Sequence, residues 1–153
     1  MRVTAMTLCR RRSPNIYNHG YPADTPGVIC TIDELQTLCD EWQKTLRISD
    51  WNINLNIVRQ VTMPADAEGH CKTYRTLKYA TISVLDPVDY DIDGYRKETQ
   101  VQHDMERTLV HELLHVQFDL AIMDAEKMDM TAFEQAIDLT AWGLVNLKRK
   151  PKP

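Results

Sequence analysis

The sequence predicts a single α+β domain, and three observations carry that prediction. Trp51-Asn52-Ile53-Asn54-Leu55-Asn56-Ile57 alternates apolar and polar residues without a break, the period of a half-buried strand. Apolar residues recur at helical spacing in three longer stretches that open near Thr31, Glu98 and Thr131. Three short strands follow the first helix, which suggests a small antiparallel or mixed sheet. At 153 residues the chain has room for one ordinary domain and not two.

Residues 1–30 read as an irregular N-terminal arm, because 10–30 are rich in Pro and Gly and show no period. Residues 31–150 form the domain. Thr31-Ile32-Asp33-Glu34 is a capping box that opens the first helix, and Leu35, Leu38, Cys39, Trp42 and Leu46 make its apolar face. After the alternating strand, a second strand is expected over Gly69 to Tyr74 and a third over Tyr79 to Leu85. The link Arg75-Thr76-Leu77-Lys78 suits an antiparallel hairpin. Asp86-Pro87 stops the third strand, and a long helix is expected from Glu98 to Leu120 with Met105, Leu109, Leu113, Val116 and Leu120 on its core face. The last helix starts near Thr131, with Phe133, Ile137, Thr140, Leu144 and Leu147 on one stripe. Basic residues and then Pro151 close it.

Composition removes several function classes. Hydrophobic residues make up 43% and charged residues 26%, which excludes disorder and fibrous repeats. No apolar run reaches the ~20 residues of a membrane span. Met1 to Pro14 has no apolar signal core, so a cytoplasmic location is expected. The net charge of −4 argues against general nucleic-acid binding, with Arg10-Arg11-Arg12 as a solvated run. The same three residues leave open a peptidase that acts on DNA-bound proteins. Cys9, Cys30, Cys39 and Cys71 fit no zinc-knuckle or disulfide spacing and read as reduced thiols.

The chemistry concentrates in His111-Glu112-Leu113-Leu114-His115. Positions i and i+4 share a helix face, so two imidazoles can converge on one metal ion. Glu112 stands beside them, where its carboxylate can take a proton from an activated water. A catalytic zinc needs a third protein ligand and an open position. No histidine follows His115, so a carboxylate is expected: Asp119, Asp124, Glu126, Asp129 or Glu134. An antiparallel helix pair favours Glu134. Thr131-Ala132-Phe133-Glu134 is also a capping-box pattern, which leaves a purely structural role for Glu134 open.

The stretch 104–140 resembles the gluzincin-type, thermolysin-like zinc metallopeptidases, which carry H-E-x-x-H on one helix and E-x-x-x-D on the next, here Glu134-Gln135-Ala136-Ile137-Asp138. Upstream, the order of elements is similar to the minimal zincin half-domain of minigluzincins and prophage-encoded metallopeptidases. The resemblance implies a zincin-like fold and one catalytic zinc held by His111, His115 and Glu134. It also implies Glu112 as general base and Asp138 as the acceptor that orients a ligand histidine. The implied activity is hydrolysis of a peptide or protein substrate. The chain departs from the family at Gln117, and it has no Tyr or His downstream of His115 to stabilise an oxyanion. That group would have to come from upstream: His70, Tyr74, Tyr79 or His103, with Tyr90, Tyr95 and Arg75 also available. If Tyr79–Leu85 forms a sheet edge above the site helix, an extended peptide could pair with it. The competing class is a non-catalytic zinc module that binds a peptide or protein.

A weaker pattern is Asp89-Tyr90-Asp91-Ile92-Asp93-Gly94, the first half of a calcium loop. Gln100 stands where the bidentate Glu belongs, so an acidic surface loop explains Asp89, Asp91 and Asp93 as well as Ca2+ does.

Overall fold

The computed structural model describes residues 6–9, 27–90, 103–119 and 129–151. Helix α1, Ile32–Thr45, begins at the Thr31 capping box: the Glu34 backbone N–H donates to the Thr31 hydroxyl, and the Thr31 N–H donates to the Glu34 carboxylate. Leu35, Cys39 and Trp42 form its buried face. Strand β2, Asn52–Val58, follows, with Leu55 buried and Asn52 and Asn54 exposed.

Strands β3, Gly69–Tyr74, and β4, Tyr79–Leu85, form the expected antiparallel hairpin. The turn closes at Lys78, whose φ of 46° is left-handed. Strand β4 also pairs with β2, in parallel. These three strands make a small mixed sheet. Its inward side chains, among them Cys71, Ala80, Ile82 and Val84, join the core.

Two expectations about the sheet are corrected. Residues 1–30 are not irregular throughout, because Met6–Cys9 forms a short strand, β1, antiparallel to β3. The order is therefore β1-β3-β4-β2, with a fourth strand beyond the expected three. Strand β4 is thus interior, with both backbone edges taken, and offers no place for a peptide to pair. Strand β3, which lies over the site helix, has β4 on one edge and β1 on the other.

Helix α2, Met105–Phe118, lies beneath the sheet, and every residue from Met105 to Val116 is buried. It starts later than the expected Glu98. Asp104 caps it by accepting from the Arg107 N–H, and the Met105 N–H donates to the Val28 carbonyl at 2.8 Å. This backbone contact with the segment before α1 fixes where the helix begins; residues 98–102 and 120 lie outside the described residues.

Helix α3, Met130–Arg149, is capped by Asp129 and packs on α2. Its buried line is Ile137, Asp138, Ala141 and Val145. The expected stripe is wrong at Thr140 and Leu147, which are exposed. The face is rotated because Glu134 and Asp138 turn inward towards α2 and draw their side of the helix with them. No helix among the described residues is long and apolar enough to cross a membrane.

Candidate metal centre

Helix α2 buries Glu106, Arg107, Thr108, His111, Glu112 and His115 along with its apolar residues. A helix enclosed on all sides must find partners for such groups, since an unpaired buried polar atom is costly. The groups of the site face two directions.

Towards α3, the two imidazoles meet the carboxylate of Glu134. The Nε2 atoms of His111 and His115 lie 3.2 Å apart. His111 Nε2 is 3.3 Å from Glu134 Oε2, and His115 Nε2 is 3.5 Å from Glu134 Oε1. Behind the site, Asp138 Oδ1 lies 3.5 Å from His111 Nδ1. A carboxylate there favours the tautomer with its proton on Nδ1, which turns the Nε2 lone pair towards His115 and Glu134. Among the described residues, His111, His115 and Glu134 form a group able to hold a metal ion. Two neutral imidazole acceptors facing each other at this distance need a proton or a cation between them. The spacing suits a cation: tetrahedral bonds of about 2.0–2.1 Å put ligand atoms about 3.3–3.4 Å apart. With a proton rather than a cation between the rings, burial pushes the Glu134 carboxyl up, but hydrogen bonds from the ring N–H groups outweigh it and hold the pKa at about 2. Glu134 is therefore a carboxylate at neutral pH, as a ligand must be.

The capping alternative for Glu134 does not apply, because Asp129 Oδ1 receives the Thr131 and Ala132 N–H groups instead. Asp119 is not in the cluster either: it accepts from the Thr73 hydroxyl at 2.7 Å and from Arg75 Nε. Asp124 and Glu126 lie outside the described residues.

Towards the sheet, Glu112 is fully buried beneath β3. Its Oε1 lies 2.4 Å from where a Cβ on Gly69 would stand, and Thr108 Cγ2 lies 2.7 Å from the same point. Only glycine lets the strand backbone settle this closely on the carboxylate. This seat was missed in the sequence, although a lone glycine at the start of a strand is the signal for such an approach. Cys71, next inward on β3, is buried, and desolvation raises its thiol well above the usual range, so it stays protonated.

The candidate oxyanion groups are elsewhere. His70 and Tyr74 alternate with the buried Gly69, Cys71 and Thr73 and so point to the other face of β3. Tyr79 packs against Tyr74 across the hairpin, with ring centroids 5.8 Å apart. His103 stacks on Tyr90 ahead of α2. Arg75 is engaged by Asp119, and Tyr95 lies outside the described residues. Gln117 donates to the Leu46 carbonyl at the end of α1, which accounts for a polar residue there. Beside the cluster the ring of Phe133 lies 5.9 Å from that of His115 and 6.5 Å from that of Phe118.

Comparison of the chain with known protein families, curated proteins and solved structures finds no match. The site stands on its own geometry. Of the possible calcium loop, Asp89 is held by Arg59 in a two-bond pair at 2.7 and 2.8 Å and by the Gln60 N–H. Asp91 and Asp93 lie outside the described residues.

Proposed function

We propose that this chain is a zinc-dependent metallopeptidase of gluzincin type. One observation carries the reading: His111, His115 and Glu134 converge at 3.2 to 3.5 Å with Asp138 behind the first histidine. Two imidazoles and one carboxylate are a donor set suited to zinc, with a fourth position left for water or substrate. Zinc held there would supply a Lewis acid that makes a water nucleophilic at neutral pH and polarises a carbonyl.

The protein's own residues do the rest. Asp138 fixes the His111 imidazole, and the buried face of α3 fixes Glu134. Glu112 takes a proton from the attacking water and later delivers it to the leaving amine. That carboxylate lies close under the Gly69 backbone. The test is Glu112→Gln: metal content should be unchanged while peptide hydrolysis falls by about 10²–10⁴-fold. Unchanged turnover would sink the mechanism.

A second reading has one observation in its favour. His70, Tyr74, Tyr79 and His103 all face other partners or the far side of β3, and oxyanion stabilisation is often the largest catalytic contribution. A non-catalytic zinc module that binds peptides would lack such a group. Metal binding with no hydrolysis in the unsubstituted chain, across a peptide library, favours this second reading.

A further inference from the structure

The edge of β3 on the histidine side of α2 is already occupied by the chain itself. On α2, at about 100° per residue, Thr108, Glu112 and Asp119 fall within about 40° of one another. Strand β3 runs over this strip: Gly69 sits on Thr108 and Glu112, and Thr73 reaches Asp119. Leu109, Leu113 and Val116 lie about 90° to one side, in the core with Ala80, Ile82 and Val84 of β4. His111 and His115 lie about 60° to the other side. Strand β4 therefore covers the leucine side of β3, and the opposite edge of β3 faces the histidines. That edge is taken by β1, in antiparallel register from Met6 opposite Thr73 to Cys9 opposite His70. His111 and His115 are 1% and 0% exposed.

We propose that β1 is a resident competitor: the outer edge of β3 is where an extended peptide docks, antiparallel to β3, and Met6–Cys9 holds that place until a peptide displaces it. The inference rests on the peptidase reading for what happens after docking, but not for the exchange itself. A four-residue ladder at a sheet edge is short, and an incoming peptide re-forms the same backbone hydrogen bonds, so little is lost in the swap. Such self-occupancy lowers apparent affinity by the fraction of molecules whose edge is free.

The test compares the full chain with its Thr7→Pro/Leu8→Pro variant, both loaded with zinc. Ladder N–H groups alternate along a strand, so adjacent prolines remove at least one bond to β3 whichever residue donates. The first probe is a labelled synthetic peptide of residues 4–11, followed by fluorescence anisotropy; the second is hydrolysis of labelled, denatured casein. The proposal expects the variant to bind the peptide at least about tenfold more tightly and to cleave casein correspondingly faster. Tighter binding with no cleavage by either protein upholds the resident competitor and removes the peptidase reading. Equal binding by both proteins, with amide exchange at 70–74 raised in the variant, overturns the proposal, because a vacated edge that takes no peptide is not a docking edge. Should the variant not fold, exchange is measured on the unsubstituted chain: saturating peptide must raise exchange at 6–9 and leave 79–85 protected, and no rise at 6–9 overturns it.

Discussion

Helices α2 and α3 enclose two polar clusters, one near each end of α2, and the two solve the same physical problem differently. At the N-terminal end of α2, Arg149 forks onto Asp104 at 2.7 and 2.9 Å and also reaches Glu106. Lys148 joins Glu106 and Glu41, and the Trp42 indole N–H donates to Glu106. Each carboxylate there meets a cationic or N–H donor from the chain. Burial pushes the Glu106 carboxyl up, but Lys148, Arg149 and Trp42 more than offset that, and its pKa lies below the usual range. Further along, His111, His115, Glu134 and Asp138 bring together two imidazoles and two carboxylates, with no lysine or arginine in the group among the described residues. The first cluster is complete in protein atoms. The second has the composition of a cage for a cation. Enclosing polar groups is therefore not what marks a functional site in this molecule; the imbalance between acceptors and cations is.

The largest effect should come from breaking the complete cluster. Arg149→Met leaves Asp104 and Glu106 buried without their main partner, which costs about 3–5 kcal/mol. Urea unfolding should show this loss equally with and without a chelator; a loss that depends on metal would undo the contrast. The cage should respond in the opposite way. Zinc at about 100 times its dissociation constant should stabilise the chain by about 2.7 kcal/mol, an effect absent in a His111→Ala/His115→Ala variant. A melting shift of the same size in that variant would place the ion elsewhere.

A third test probes the seat of Glu112. Gly69→Ala overpacks a contact of 2.4 Å and should destabilise by about 1–3 kcal/mol. Adding Glu112→Asp and Thr108→Ser should recover much of it in the apo protein. No recovery would mean that the strand, not the carboxylate, is what the new methyl meets.

The smallest effect concerns Asp89, which belongs to neither cluster. Its hydrogen bonds from Arg59 and the Gln60 N–H hold its pKa down at about 2. A carboxylate lowered in the folded state contributes stability that is full above its unfolded pKa of about 3.9 and is lost as pH falls through the folded value. Asp89→Asn should therefore melt below the unsubstituted chain at pH 6, and the two should converge towards pH 2. A difference that is undiminished at pH 2 would assign the effect to packing.

Much of this was legible in the sequence where the cause is local. The capping box at Thr31, the alternation of Asn52–Val58 and the tight β3–β4 link each depend on neighbours in the chain. The spacing of His111 and His115 was legible for the same reason, since a helix makes i and i+4 neighbours, whereas Glu134 was reached only through the resemblance and the expected antiparallel helix pair. What could not be read depends on distant partners. Strand β1 has four residues and no period of its own, and it exists as a strand because β3 offers an edge. The interior position of β4 follows from β2 pairing in parallel beside it. The face of α3 was misjudged because hydrophobic periodicity ignores Glu134 and Asp138, which turn the helix inward. The Arg149 network joins residues 43 to 45 positions apart, beyond the reach of any local pattern.

The central claim is that α2 and α3 hold a metal ion through His111, His115 and Glu134. Native mass spectrometry of the unsubstituted chain beside Glu134→Ala tests it most directly. One zinc per chain, lost or weakened in the variant, is the predicted result. No zinc in the unsubstituted chain after supplementation, or zinc held equally well by Glu134→Ala, would contradict it.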